Sequence, residues 1–294
     1  MTTPSEARAA SVIPDYDMEK SNSYPQTVNS SVLTLCMLSS GSKGNSIYIS
    51  DGSTSILVDA GLSGIEIERR MKSKELDPEK LDAIVISHEH ADHIHGVGVL
   101  SRRYSIPVYI SKKTFKAASP FLGKINEFKK FECGQKFTIN NLTFHPFSIS
   151  HDAEDTAGFT VSMNSTKIGI ATDLGIATTM VKEHLKKCSV LILEANHDPD
   201  MLANGPYPWP LKQRIKSRTG HLSNEQSKAL LQEIQHDALE HVILSHISET
   251  NNTPQKAISV VGQAITCCSP NLDFAGQYYS GALLQISDRK SCKP

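Results

Sequence analysis

Ser87-His88-Glu89-His90-Ala91-Asp92-His93-Ile94-His95 follows directly on the apolar run Ala83-Ile84-Val85-Ile86. Such a run reads as a buried strand that delivers its last residues to a sheet edge. Alternate residues at a strand end point the same way, so His88 and His90 can converge on one point. Asp92 and His93 fall where the chain turns into its next helix and can face a second point nearby. Imidazole nitrogens and carboxylate oxygens are the ligands that borderline and harder divalent metals take. A solvated, histidine-rich loop is the competing reading, and a single histidine pair would favour it. Four ligand-type side chains within six positions behind a strand favour a metal site. His95 is not needed for the H-x-H-x-D-H spacing and reads as a polar helix residue. The segment can serve two ions only if the rest of the chain supplies further ligands.

Composition narrows the class. The 294 residues suffice for one large or two small domains with a substantial core. A hydrophobic content of 39% and a charged content of 21% are those of a globular protein. The net charge of -1 gives no global field, so any nucleic-acid contact must be local. Cys36, Cys133, Cys188, Cys267, Cys268 and Cys292 show no C-x-x-C spacing and read as reduced thiols of a cytoplasmic protein. No basic segment followed by an apolar core opens the chain, and no apolar run reaches membrane-spanning length, so neither export nor a membrane partner is expected.

Residues 1–30 are rich in Ser, Thr, Pro, Asn and acids and are expected to form a disordered arm, with a single domain over 31–294. Val32–Leu38 reads as the first strand. Ser39-Ser40-Gly41-Ser42-Lys43-Gly44-Asn45-Ser46 reads first as an ordinary Gly/Ser turn, with a backbone N–H cradle for an anion as the lesser alternative. Strands follow at 47–49 and 55–58, then a helix from Ser63 with Glu66 placed for a capping box. After the opening motif come a helix over 96–104, a strand at 107–110, short strands around Asn140-Asn141, and a hairpin over 158–163 and 167–171. A helix over 176–187 leads to the strand ending in Glu194. Residues 199–220 carry prolines and a basic run. A helix capped by Ser223 and Gln226, a strand at 241–244, a helix near 254–266 and a strand near 282–286 complete the chain.

The strands end, in turn, in Asp59, His88, Asp173, Glu194 and His246, and His151 also follows a strand. Reactive groups in layered α/β folds gather beyond strand ends. If these ends share one edge, His88, His90, Asp92, His93, His151, Asp173 and His246 meet in one cleft, with donors enough for two metals and a shared carboxylate.

This pattern resembles the metallo-β-lactamase superfamily over nearly all of residues 32–290. The resemblance implies a four-layer αβ/βα sandwich of two mixed β-sheets flanked by helices. It implies that His88, His90 and His151 ligate one metal, that Asp92, His93 and His246 ligate the other, and that Asp173 bridges them. Asp59, in Val58-Asp59-Ala60-Gly61, is similar to the aspartate that steadies the ligands from behind. The antibiotic-hydrolysing zinc enzymes of that superfamily carry a cysteine where this chain has Asp173. Glu194 and His221 resemble the acid–histidine pair of its nucleases, in which the carboxylate orients the imidazole that protonates the leaving oxygen. As ordinary loop residues they would have no such role. The order S-G-S-x-G-N-S, V-D-A-G, S-H-E-H-A-D-H, S-H-D-A, A-T-D-L-G, L-E-A-N-H-D, G-H-L-S and L-S-H-I-S is similar to the bacterial YycJ/WalJ exonuclease subfamily. Lys43 departs from the small residue expected in the Gly/Ser loop and reads as an added phosphate contact.

The implied activity is that of a metal-dependent phosphodiesterase, a 5′–3′ DNA exonuclease using hydroxide activated by two divalent ions, zinc or manganese, with iron open. Asp92, Asp173, Glu194 and His221 carry the chemistry in this reading. Lys43, Lys212 and Arg214, with Lys216 and Arg218, guide the nucleic-acid backbone unless their run is only a solvated helix face. A thioesterase, lactonase or glyoxalase-type hydrolase is the alternative and has no need of Glu194 and His221. A non-catalytic binding module predicts decayed ligand positions, and none is decayed here. The oligomeric state is not legible.

Overall fold

The computed structural model describes residues 32–287, so the arm expected at 1–30, and Cys292, lie outside the described residues. β1 (Val32–Ser39), β2 (Ser46–Ser50) and β3 (Ser55–Val58) form an antiparallel meander. α1 (Gly64–Lys72) carries the chain to β4 (Ala83–Val85), which runs parallel to β3. α2 (Ala91–Ile94) and α3 (Val97–Tyr104) lead to β5 (Pro107–Ser111), and α4 (Lys112–Leu122) leads to β6 (Glu127–Phe131), both parallel additions.

The second half repeats this plan. β7 (Phe137–Ile139), β8 (Leu142–Ser148), β9 (Ala157–Met163) and β10 (Thr166–Ala171) are antiparallel neighbours. α5 (Thr179–Leu185) precedes β11 (Val190–Glu194). α6 (Pro199–Asn204), α7 (Trp209–Lys216) and α8 (Asn224–Ile234) precede β12 (His241–Ser245), and α9 (Pro254–Gly262) precedes β13 (Asn271–Phe274). β10 to β13 are parallel, and β14 (Leu284–Ser287) crosses back to pair with β1. The result is two seven-stranded mixed sheets, ordered β14-β1-β2-β3-β4-β5-β6 and β13-β12-β11-β10-β9-β8-β7.

Alternation along the strands builds the layers. Val190 and Ile192 of β11 enter a core shared with Ile56, Val85, Phe144 and Phe159, which lies between the sheets. Leu191 and Leu193 point the other way and pack against Leu230, Leu231 and Val261 of the outer helices. Ile84, Leu57 and Leu38 do the same for Ile67 and Leu100 on the first sheet. Strands covered on both faces must be apolar at every position, which is why 83–86 and 190–193 read as unbroken apolar runs. The four-layer αβ/βα sandwich is therefore the fold.

Some elements were not anticipated. β6, Glu-Phe-Lys-Lys-Phe, is an edge strand whose charged, largely exposed residues carry no core period. α6 and α7 each begin with a proline in the first turn. Proline there starts a helix rather than breaking one. Ser63 caps α1 by accepting from the Glu66 N–H, but no reciprocal capping box forms. The Glu66 carboxylate instead accepts from Arg69 and Arg70. The Ser223–Gln226 box is complete. The described cysteines are all free thiols, and none of the described helices is long and apolar enough to cross a membrane.

Candidate metal centre

β3, β4, β8, β10, β11 and β12 all end at the edge that carries Asp59, His88, His151, Asp173, Glu194 and His246. Asp59, Asp173 and His246 lie one or two residues past their strands with φ of +59°, +56° and +54°. Left-handed backbone at a non-glycine residue costs about 1–3 kcal/mol, and such strain persists where surrounding contacts over-determine it. Those contacts are visible here. The Asp59 N–H donates to the Val85 carbonyl, and the His246 N–H donates to Ser40 Oγ at 2.7 Å, which ties β12 to the opposite sheet. The Ala157 N–H donates to the Ser87 carbonyl, a second tie between the halves. Gly61 is required by close approach, since a Cβ there would stand 1.6 Å from the Asp92 carbonyl oxygen.

His88, His90 and His151 form one cluster with ring nitrogens close enough to hold one ion. His88 Nε2 is 3.1 Å from His90 Nδ1, and His151 Nε2 is 3.3 Å from the same atom. His88 Nδ1 faces Ser87 Oγ, whose hydroxyl is already donated to Asp59, and His151 Nδ1 donates to the Gly220 carbonyl. Both Nε2 atoms therefore present lone pairs to His90 Nδ1, which can satisfy at most one of them. A divalent cation among the three satisfies all, so the donor set fits such an ion. Burial pushes His88 well below the ordinary imidazole value, and the His93 charge pushes the same way.

Asp173 lies between this cluster and the next. Its Oδ2 is 3.2 Å from His93 Nε2, and its Oδ1 is 3.3 Å from His246 Nδ1 and 4.0 Å from His151 Nε2. Asp92 Oδ2 stands 3.6 Å from His93 Nε2 and 3.9 Å from His246 Nε2. Asp173 Oδ2 and His246 Nε2 are both buried without a hydrogen-bond partner. A buried carboxylate oxygen beside an unpartnered imidazole nitrogen is the signature of a donor set short of a cation. His93 is fixed from behind, because its Nδ1 donates to Asp59 Oδ2 at 2.7 Å.

Glu194 is completely buried and fully used. Its Oε1 accepts from His221 Nδ1 at 2.7 Å and His246 Nδ1 at 2.9 Å, and its Oε2 accepts the N–H groups of Leu174 and Leu222. Burial alone would raise this carboxyl; the His221 and His246 charges hold it below its ordinary value. Burial likewise opposes charge on His93, and Asp59, Asp173 and Asp92 outweigh it and raise the group. The acids of the cleft thus demand positive charge, from protons or from metal.

The other expected site residues divide. Arg214 lines the 370 Å³ cleft together with Ser42, Tyr207 and His221, and its Nε donates to Asp152. Lys43 donates to Glu249 at 2.8 Å and to the Tyr278 hydroxyl, and its Glu249 pair is exposed. Lys212 Nζ donates to the Ala203 carbonyl at 2.8 Å. His145 and His184 pack edge to face, away from the cleft-lining residues. Asn45 escaped the sequence reading: its Nδ2 donates to Asp92 Oδ2 at 3.2 Å and lies 3.0 Å from His93 Nε2. Its place in the Gly/Ser loop was the available signal, in a segment that reads mainly as a turn.

A family model described as the beta-lactamase superfamily domain matches residues 54–247. The chain is 36% identical over 235 residues to a Bacillus anthracis protein named exodeoxyribonuclease YycJ, covering 79% of this chain and 89% of that one. It is 38% identical over 225 residues to Streptococcus pneumoniae exodeoxyribonuclease WalJ, covering 75% of this chain and 84% of that one. The solved fold of the metallo-beta-lactamase fold protein YhfI from Bacillus subtilis superposes with a TM-score of 0.68 at 16% identity, covering 85% of this chain and 99% of that one.

Proposed function

The chain belongs to the metallo-β-lactamase superfamily, and from that membership we propose a metal-dependent nuclease that degrades DNA from its 5′ ends. The names of its relatives support the substrate class. The observation that carries the chemistry is His221, held at 2.7 Å by the buried Glu194 on the rim of a cleft crowded with ligand-type side chains.

The donor set supports one divalent ion among His88, His90 and His151; the reach of Asp92 Oδ2 to His93 at 3.6 Å and His246 at 3.9 Å supports another among those three, with Asp173 between the two. Zinc and manganese suit this mixture of imidazole and carboxylate, and iron is compatible with it. Bound there, such ions supply Lewis acidity toward phosphoryl oxygens and lower the pKa of water. Asp59 and Ser87 hold His88 and His93 in the tautomers that turn Nε2 inward. Glu194 is a positioning residue that reaches no substrate and commits His221 Nδ1, so the proton for the leaving oxygen passes through His221 Nε2. Arg214 reaches the phosphodiester backbone by exchanging its exposed Asp152 partner for phosphate. Free thiols favour a reducing compartment, the cytoplasm.

The test is a panel of 5′- and 3′-labelled duplexes with Mn²⁺, Zn²⁺ or Mg²⁺. Stepwise, chelator-sensitive release from the 5′ end is expected with Mn²⁺ or Zn²⁺. Turnover of small esters without cleavage of any nucleic acid would overturn the reading.

A further inference from the structure

A second recess opens beside the catalytic cleft and differs from it in chemistry. It has a volume of 520 Å³ and is lined by Glu89, His90, Ala91, Ile94, His95 and Phe121. His90 and Ala91 line both spaces, so the recess adjoins the cleft across these two residues. Phe121, near the end of α4, is 81% exposed and adds nothing to the core. Glu89 Oε1 accepts the Glu154 N–H at 2.8 Å, while its Oε2 is buried without a partner. Neither Glu89, His95 nor Phe121 has a role in the chemistry derived above.

Resting on the nuclease reading, we propose that this recess is a nucleobase subsite, in which the base attached to the nucleotide at the cleft leaves its stack and lies against Phe121. The Glu89 carboxylate repels a second phosphate, so the recess does not continue the backbone track. A base meets both of its features. The faces of Phe121, Ile94 and Ala91 suit a flat apolar ring, and the Glu89 carboxylate, which lines the recess, suits the exocyclic amine of adenine, cytosine or guanine. Thymine has no such amine and fits less well. Phe121 is therefore a positioning residue for the substrate, acting on affinity more than on the chemical step.

The experiment compares duplexes identical except for the 5′-terminal nucleotide, which is adenine, thymine or an abasic analogue. Binding is read by fluorescence anisotropy with Mn²⁺ on duplexes whose 5′-terminal linkages are uncleavable phosphorothioates, and KM and kcat are read with Mn²⁺ on cleavable ones. Base–aromatic stacking corresponds to about tenfold in affinity. Wild type should bind the adenine end about tenfold more tightly than the abasic end. Phe121→Ala should erase that difference through KM while leaving kcat and the abasic end unchanged, and Phe121→Tyr should restore it. Glu89→Gln should remove the preference for adenine over thymine. Equal discrimination by wild type and Phe121→Ala would overturn the subsite. Discrimination in binding without cleavage under any metal would overturn the nuclease reading and leave the subsite standing.

Discussion

His88, His90, Asp92 and His93 come from one short stretch that runs from the end of β4 into α2, whereas His151, Asp173, Glu194, His221 and His246 come from separate strand ends and loops of the second sheet. In the first region the pleat of one strand end and the first turn of one helix set the geometry. In the second, the parallel register of β10, β11 and β12 sets it, and a slip of one residue would turn a ligand away from the cleft. The first region is a local motif braced by Asp59 and Ser87. The second is a property of the whole sheet, held to the first by Ser40 and by the Ser87–Ala157 backbone bond.

Asp173→Ala touches both regions and has the largest expected effect. Activity should fall by about 10⁴-fold or more, and metal content measured by plasma mass spectrometry should drop for both sites. Retention of both ions would break the idea that Asp173 joins the regions. His221→Ala belongs to the second region alone. It should cost about 10²–10⁴-fold in kcat with metal content intact; parallel loss of metal would make His221 a ligand rather than a proton donor.

Asp59→Asn sharpens the comparison from the other side. It keeps the shape but weakens the grip on His93 Nδ1, and metal affinity by competition with a chelator should fall about 10–100-fold. An unchanged affinity would show that the local motif needs no brace. The smallest effect concerns Glu66, which sits beside neither set of ligands. The hydrogen bond from Arg69, against opposing burial and with help from Arg70, holds Glu66 at about 2 against an ordinary 4.5. Its folded value is depressed, so its stabilisation is complete above about pH 4.5 and is lost as pH falls through 2. Glu66→Gln should cost about 1 kcal/mol in urea unfolding at neutral pH, flatten that acid dependence, and leave metal content unchanged.

Much of this was legible before the structure. The H-x-H-x-D-H segment, the apolar runs and the polar residues closing them follow from periodicity, which a strand carries in its own sequence. Asp59 and the capped start of α8 were legible for the same local reason. The helices α6 and α7 lay in a proline-bearing stretch that showed only a basic run with a helix face as one alternative, and β6 was hidden by its charges. The partners of Lys43, Glu249 and Tyr278, were not legible because they lie over two hundred residues away.

By itself the sequence determined the ligand types, their order and the strands that bear them, because each is written in neighbouring residues. Only the tertiary structure decided that Glu194 serves His221 and His246 at once, that Asn45 holds Asp92, and that an apolar recess adjoins the metal cleft. Those facts depend on distances between segments remote along the chain, and no local period encodes them. They arise when two sheets pack their inner faces together and bring their strand ends to one edge.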